Sequence, residues 1–432
     1  MRFILILLVL IISLYANEIT YNQLLESATK DSNLLKIRKS DELIEAARLK
    51  SLYSIYYPTL SLSYNSEYKK DLADGLSGIE SVGNTVISNG TNWQNSLSLN
   101  MNYELYQFGV KAKQIVLAKQ DVKIKKLLWC EEQTDLFNNI LERFSSARKA
   151  SIQQVMQAEL LKLRKELYSV KQRLYRAGQY SKIDLGDEAI DIIDMERDIE
   201  NSLMQYQDDL LELSKLSHIE LDSNTDILLP IVQNNRLYNP SFSDSARGLK
   251  QQHKINQKKE EISLHNRTLM PKLSAYSNYY LFGSDVNSWQ EATRALDKKS
   301  WSVGFMLRWN LFEGFKHNSE AERLEYELRR LNEEKDLQNR EFDTSVKMAH
   351  LRITHFNEVE IKEKALLNET NEKLFMMQRL RKGRRVGIIS TIQVEIEQLQ
   401  RRLNLKLEQI DSAKAYAKLE ILQIGVNECN QH

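Results

Sequence analysis

Four segments of the chain alternate apolar and polar residues with a period of two, and they come in two pairs separated by much longer segments of helical rhythm. In the first, Leu60, Leu62, Tyr64 and Tyr68 oppose Thr59, Ser61, Ser63, Asn65 and Glu67. In the second, Leu97, Leu99, Met101, Tyr103 and Leu105 oppose Ser98, Asn100, Asn102 and Glu104. The third sets Leu273, Ala275, Tyr279 and Leu281 against Lys272, Ser274, Asn278 and Tyr280, less cleanly. The fourth sets Trp301, Val303, Phe305, Leu307, Trp309 and Leu311 against Ser302, Gly304, Arg308 and Asn310. This alternation predicts strands with one apolar and one polar face. Each runs roughly 10–12 residues, the length a tilted strand needs to cross a bilayer. Aromatic residues gather near the strand ends, as at a membrane interface. A closed membrane barrel needs at least about eight strands. Four per chain cannot close alone, whereas three chains would supply twelve.

Between and after the strand pairs, apolar residues recur every three or four positions. Leu160, Leu163, Leu167, Val170 and Leu174 form one such row, and Ala189, Ile192, Ile199, Leu203, Tyr206, Leu210 and Leu213 another. Phe342, Val346, Ala349, Ile353 and Phe356 make a third, and Ile392, Ile396, Leu399, Leu403 and Ile410 a fourth. These are helix-packing seams. No Pro or Gly interrupts the chain from Lys111 to Ala177, a stretch that as one helix reaches roughly 100 Å. Helices of that length predict a projecting tube or rod rather than a compact domain.

Strand pair and long helical hairpin therefore occur twice, about 210 residues apart. The expected organisation is a leader over 1–16, a first repeat over 17–215, a connector and helix over 216–267, a second repeat over 268–425 and a short tail over 426–432. The connector carries Pro230, Pro240 and Asn234-Asn235 among short helical patches. Residues 70–93 and 284–298, polar and in part glycine-bearing, read as exposed loops between paired strands.

Composition narrows the picture further. Met1-Arg2-Phe3, a short apolar run to Leu14, and Ala16 before a polar start describe a secretory signal. No later run reaches the 18 apolar residues of a membrane helix. The formal net charge of +1 argues against a nucleic-acid partner. Cys130 and Cys429 are the only cysteines. One disulfide is open to them in an exported protein, but free buried thiols are the expected state. There is no Gly-rich phosphate loop, His-Glu-x-x-His, CxxC or Gly-x-Ser-x-Gly motif, so no enzyme activity, cofactor or metal is expected.

Tyr57-Pro58 and Met270-Pro271 open the two strand pairs. Leu105-Tyr-Gln-Phe-Gly109 and Leu311-Phe-Glu-Gly314 lead from strand into helix. Gly178-x-x-Ser181 and Gly387-x-x-Ser390 mark the two hairpin ends. In this order and in duplicate, these fragments resemble the TolC family of outer-membrane efflux and secretion channels. The resemblance implies a mixed α and β fold: a homotrimer with a twelve-stranded barrel in the outer membrane, continued by an α-helical coiled-coil tunnel through the periplasm. It also implies docking, by the hairpin tips, to a periplasmic membrane-fusion adaptor and an inner-membrane pump of RND, ABC or MFS type.

The tips also have a local reading. Gly178 and Gly387 are expected to take positive φ in tight reversals, and Ser181 and Ser390 to cap the following helices. Docking carries over from the family to Gly178, Gln179, Tyr180 and Ser181, and to Val386, Gly387, Ile388, Ile389 and Ser390. The family closes its tunnel with inward acidic groups. Here Asp184 and Asp187 lie three apart, on one side of a helix, and three copies would make two acidic rings. In the second repeat Gln393 and Ile396 stand where relatives often carry aspartate. Arg384 or Arg385 is then a candidate partner of Asp184 across the tips.

The expected function is an outer-membrane exit duct for small molecules such as drugs and toxic compounds. A type I protein secretion duct is the chief alternative. A structural coiled-coil protein would explain the seams but not the duplicated strands, and a periplasmic adaptor would need a Gly- and Val-rich small barrel that is not visible.

Overall fold

The computed structural model describes residues 18–69, 92–222, 225–228 and 238–431. The expected leader, Pro230, Asn234-Asn235 and nearly all of the first strand connection lie outside these residues. In chain order the elements are β1 (Glu18–Thr20), α1 (Tyr21–Asp31), α2 (Asn33–Leu52), β2 (Thr59–Lys69), β3 (Asn92–Tyr106), α3 (Val110–Arg176), α4 (Lys182–Ser217), β4 (Asp226–Leu228), α5 (Ala246–Arg267), β5 (Lys272–Asp285), α6 (Trp289–Arg294), β6 (Lys298–Arg308), α7 (Lys316–Lys382) and α8 (Ile388–Gln431). Two compact units result, one comprising 1–42, 124–252 and 333–432, the other 43–123 and 253–332.

The second unit is built on one antiparallel sheet of order β2-β3-β5-β6. Pro58 and Pro271, which cannot donate to a ladder, stand just before β2 and β5, where no donor is needed. The register aligns the polar residues into rows across all four strands. Ser61 opposes Asn100, Asn100 opposes Asn278, and Asn278 opposes Ser302. The adjacent row on the other face joins Leu62, Leu99, Tyr279 and Trp301. Away from α6, that face is bare: Trp301 and Phe305 are each 74% exposed. A sheet in water would cover such a surface with a second layer, and a bilayer would cover it with lipid. β2 and β6 are left as open edges.

The fourth strand stops at Arg308, short of Trp309 and Leu311, which alternation had placed in it. Its end is fixed by side chains. The Trp309 indole N–H donates to the Leu269 carbonyl at 2.9 Å, and Asn310 Nδ2 to Glu313 Oε1 at 2.9 Å. The chain then turns through two left-handed residues, Gly314 (φ 62°) and Phe315 (φ 64°), into α7. The first repeat makes the same turn with Phe108 (φ 48°) and Gly109 (φ 80°), so Gly and Phe exchange order between the repeats.

The β5–β6 connection is more than the expected loop. It carries α6, which packs against the apolar side of the sheet over a polar notch. Asn95, wholly buried, donates from Nδ2 to Thr293 Oγ1 at 2.7 Å and to the Trp289 carbonyl at 3.3 Å, and accepts from Ser66 Oγ at 2.6 Å. The Trp289 indole N–H donates to Ser66 Oγ at 2.9 Å. Gly283 admits this close approach, because a Cβ there would lie 2.3 Å from the Ala292 carbonyl oxygen.

The first unit holds the main core. Tyr21, Leu24 and Ala28 of α1 join Ile140, Leu141 and Phe144 of α3, Leu210 and Leu213 of α4, and Ile392 and Ile410 of α8. Thr20 and Gln23 form a reciprocal capping box that starts α1. β1 pairs in parallel with β4. Of the seam residues, Leu160, Leu167 and Val170 are buried, with Leu163 and Leu174 packed beside them. Val346, Ala349 and Ile353 pack with Ala415, Tyr416 and Leu419 in a second cluster. Residues 246–267 are one 22-residue helix rather than short patches.

The cysteine expectation fails. Cys130 is disulfide-bonded, and the only other cysteine in the sequence is Cys429. An oxidising compartment permits such a bond.

Candidate functional site

The two hairpins are built to one ruler. Helices α3 and α7 are each 67 residues long. Val110 and Lys316 stand 206 positions apart, as do Arg176 and Lys382, and as do Lys182 and Ile388, the first residues of α4 and α8. The turns therefore correspond residue by residue.

In the first turn the Gln179 N–H donates to the Leu174 carbonyl and the Gly178 N–H to the Tyr175 carbonyl, both at 2.9 Å. This pair satisfies the last carbonyls of α3 in a Schellman motif. Gly178 holds the left-handed position at φ 72°. Ser181 follows as N-cap, accepting the Ile183 N–H at Oγ over 3.0 Å. The expected positive φ at Gly178 and the Ser181 cap are both present.

In the second turn the Arg385 N–H donates to the Leu380 carbonyl at 3.0 Å and the Arg384 N–H to the Arg381 carbonyl at 2.9 Å. The left-handed residue is Arg384, at φ 56°. Gly387 does not have positive φ; it immediately precedes α8 and corresponds to Ser181. Ser390 lies inside α8 as its third residue, so it is not the cap. The Gly-x-x-Ser match is thus three residues out of step with the backbone. The position is set by the count from the helix end, and Arg384 occupies it at a cost of about 1 kcal/mol relative to Gly.

Asp184, in the first turn of α4, and Asp187 are exposed. Arg384, Arg385 and Gln393 are exposed too. Among the described residues no ion pair or hydrogen bond within the chain joins either aspartate to Arg384, Arg385 or Gln393, so the suggested Asp184 pairing is not formed here. Ile396 is 6% exposed and belongs to the core. At the tips Gly178, Gln179, Ser181 and Gly387 are exposed, while Tyr180, Val386, Ile388, Ile389 and Ser390 are half-buried.

The structure adds an ionic cluster behind the first tip. Glu188 of α4, 4% exposed, accepts from Arg164 Nη1 at 3.1 Å and from Lys171 Nζ at 2.5 Å, both on α3. Arg164 also pairs with Asp191. The Lys171 ammonium lies 5.5 Å from the centre of the Tyr180 ring. Burial pushes the Lys171 amine down, but hydrogen bonding and attraction to Glu188, with a smaller part from Tyr180, leave it above the ordinary lysine value. A signal for this cluster stood in the sequence, since Arg164 and Lys171 each fall four residues after a seam leucine, Leu160 and Leu167.

Counting 206 positions on, the second hairpin replaces Arg164, Lys171 and Glu188 with Thr370, Met377 and Val394. Thr370 and Val394 are buried. The ion pairs between its two helices are Lys373 to Glu397 at 2.8 Å, solvent-exposed, and Arg401 to Glu363 at 3.7 Å, half-buried. One hairpin is therefore locked by buried charge and the other by apolar packing.

The fold is similar to that of solved outer-membrane channels. Over 94% of this chain and 85% of the other it superposes on the Campylobacter jejuni CmeC outer membrane channel with a TM-score of 0.75 at 12% identity. The Vibrio cholerae outer membrane protein VceC matches with a TM-score of 0.74 at 13% identity, over 94% of this chain and 95% of that one. CusC matches with a TM-score of 0.72 at 14% identity, over 92% and 91%. Residues 36–217, which span the first repeat from α2 to the end of α4, match the outer membrane efflux protein family. The resemblance to TolC-family channels thus holds in family sequence over the first repeat and in fold over nearly the whole chain. No curated protein matches the chain by sequence.

Proposed function

We propose that this chain is the outer-membrane exit duct of a tripartite efflux system, passing small molecules from an inner-membrane pump and a periplasmic adaptor to the outside. The observation that carries the reading is the sheet: one face is bare and apolar, the other is ruled with Ser and Asn, and two edges stay open. Backbone groups at an open edge cannot be left unpaired in lipid. Three copies pairing β6 to β2 give a closed barrel of twelve strands, polar inside. Helix α4 supports the same assembly. Ile183, Ile190, Ile193, Met204 and Leu211 leave an apolar stripe exposed along it, which a neighbouring copy would cover.

In this reading the duct does no chemistry, and Asp184 and Asp187 project as two acidic rings at the tunnel end. The tips from Gly178 to Ser181 and from Val386 to Ser390 meet the adaptor. The test is photocrosslinking in living cells from Gln179 and Arg385, which are exposed, rather than from Tyr180, which packs against Lys171. Capture of a periplasmic adaptor is the expected result, and the pump on that adaptor separates small-molecule efflux from protein secretion. Normal outer-membrane insertion with no adaptor captured from either tip would overturn the docking assignment.

A further inference from the structure

The polar face of the sheet is neutral through its middle rows and charged at both ends, with Glu67 and Lys298 at the end away from the helices and a closer set of charges where the helices join. Its middle rows are Ser61, Asn100, Asn278 and Ser302, then Ser63, Ser98, Tyr280 and Ser300. At the helix-joining end, Lys272 and Arg308 stand directly opposite each other on β5 and β6. Like charges in facing register destabilise a sheet, and here two uncharged residues would serve folding better. Neither cation forms an ion pair among the described residues. The carboxylate nearest in register, Glu104, faces Ser274 and accepts a hydrogen bond from the Gln107 side-chain amide. Together Glu104, Lys272 and Arg308 line a polar concavity of about 290 Å³ with Asn102, Ser274 and Asn310.

From this arrangement we infer that Lys272 and Arg308 form an anion-binding ring at the inner end of the barrel, and that organic anions bearing carboxylate, phosphate or sulfonate groups are a substrate class of the duct. The inference rests on the trimeric duct reading. There β6 of one copy adjoins β2 of the next, whose polar residues at that end are Thr59, Ser61 and Ser63. Glu67 lies at the other end of β2, so the neighbour brings no carboxylate to the doublet. Three copies place six cations against three Glu104 carboxylates around one lumen. A ring of Lys and Arg favours anions by the physics that makes acidic rings favour cations. The walls of a narrow pore focus that field, and a Debye length of about 8 Å at physiological salt does not screen it away across the ring.

The experiment uses the purified trimer in planar bilayers, with citrate as a trivalent probe added from the barrel side. Expected results are block of the conductance by citrate and, in the Lys272→Gln/Arg308→Gln double variant, a half-blocking concentration raised at least about tenfold with a reversal potential shifted toward cations in a KCl gradient. Each single variant should give a partial effect. Migration of the unboiled variants as intact trimers on a denaturing gel shows that they have folded. A conducting wild-type channel whose citrate block is absent, or is the same in the double variant, would overturn the inference. No conductance from the wild-type trimer would instead overturn the duct reading beneath it.

Discussion

Removing the Glu188 carboxylate leaves the buried Lys171 without a carboxylate partner and Arg164 with Asp191 alone, and the second hairpin shows how to repair the damage. Lys171 and Glu188 have side chains 9% and 5% exposed, and Arg164 is 21% exposed. Breaking a buried pair from one side costs about 3–5 kcal/mol, because the remaining charge stays desolvated. Glu188→Gln should therefore lower local stability by up to that amount. Hydrogen–deuterium exchange of amides between 160 and 195 reads this as a loss of protection of up to about 100- to 4,000-fold, at 1.4 kcal/mol per factor of ten. Replacing the whole cluster is a different perturbation. The triple variant Arg164→Thr, Lys171→Met, Glu188→Val copies Thr370, Met377 and Val394, and apolar replacement of a buried ionic group is often neutral or stabilising. Its protection should return to within about 1–2 kcal/mol of wild type, so the three changes are strongly non-additive. If the triple variant is as unprotected as Glu188→Gln, or if Glu188→Gln loses nothing, the account of a charge lock interchangeable with apolar packing is wrong.

Three further outcomes are expected. Arg384→Gly should stabilise the second hairpin by about 1 kcal/mol and Gly178→Ala should destabilise the first by about the same amount, whereas Gly387→Ala should have a smaller effect, all measured by thermal unfolding of the purified protein in detergent. Asn95→Ala should release α6 from the sheet, leaving Thr293 and Ser66 short of partners at about 1–3 kcal/mol, read as faster exchange in residues 288–295 with β3 and β5 still protected. The third concerns Glu131, whose carboxyl burial pushes up but hydrogen bonding and attraction to Lys250 and Arg247 bring net below its ordinary value. The unfolded chain then binds the proton more readily than the folded one. This contribution is present above the ordinary carboxylate value and is lost as pH falls through the lower folded value. Acid unfolding should therefore become less steep in Glu131→Gln.

The alternating segments determined the sheet and its two faces, because a period of two reports side-chain direction whatever the strand packs against. The rows at spacings of three and four likewise determined the seams, and Gly178 with Ser181 fixed one turn through steric freedom and a local cap. What the sequence could not decide was where each pattern stops. Trp309 and Leu311 continue the alternation, yet the indole bond to Leu269, a contact across 40 positions, ends the strand at Arg308. Gly387 matched Gly178 by motif, but the backbone counts from the end of α7 and sets Arg384 in the left-handed site, since a penalty of about 1 kcal/mol is small beside the packing of a 67-residue helix. The same holds for chemistry. Glu188 meets Lys171 and Arg164 only once α4 folds back along α3, and Lys272 faces Arg308 only through the ladder between β5 and β6. Local periodicity encodes which face of an element is apolar; which charges meet across elements is a property of register, and tertiary packing sets the register.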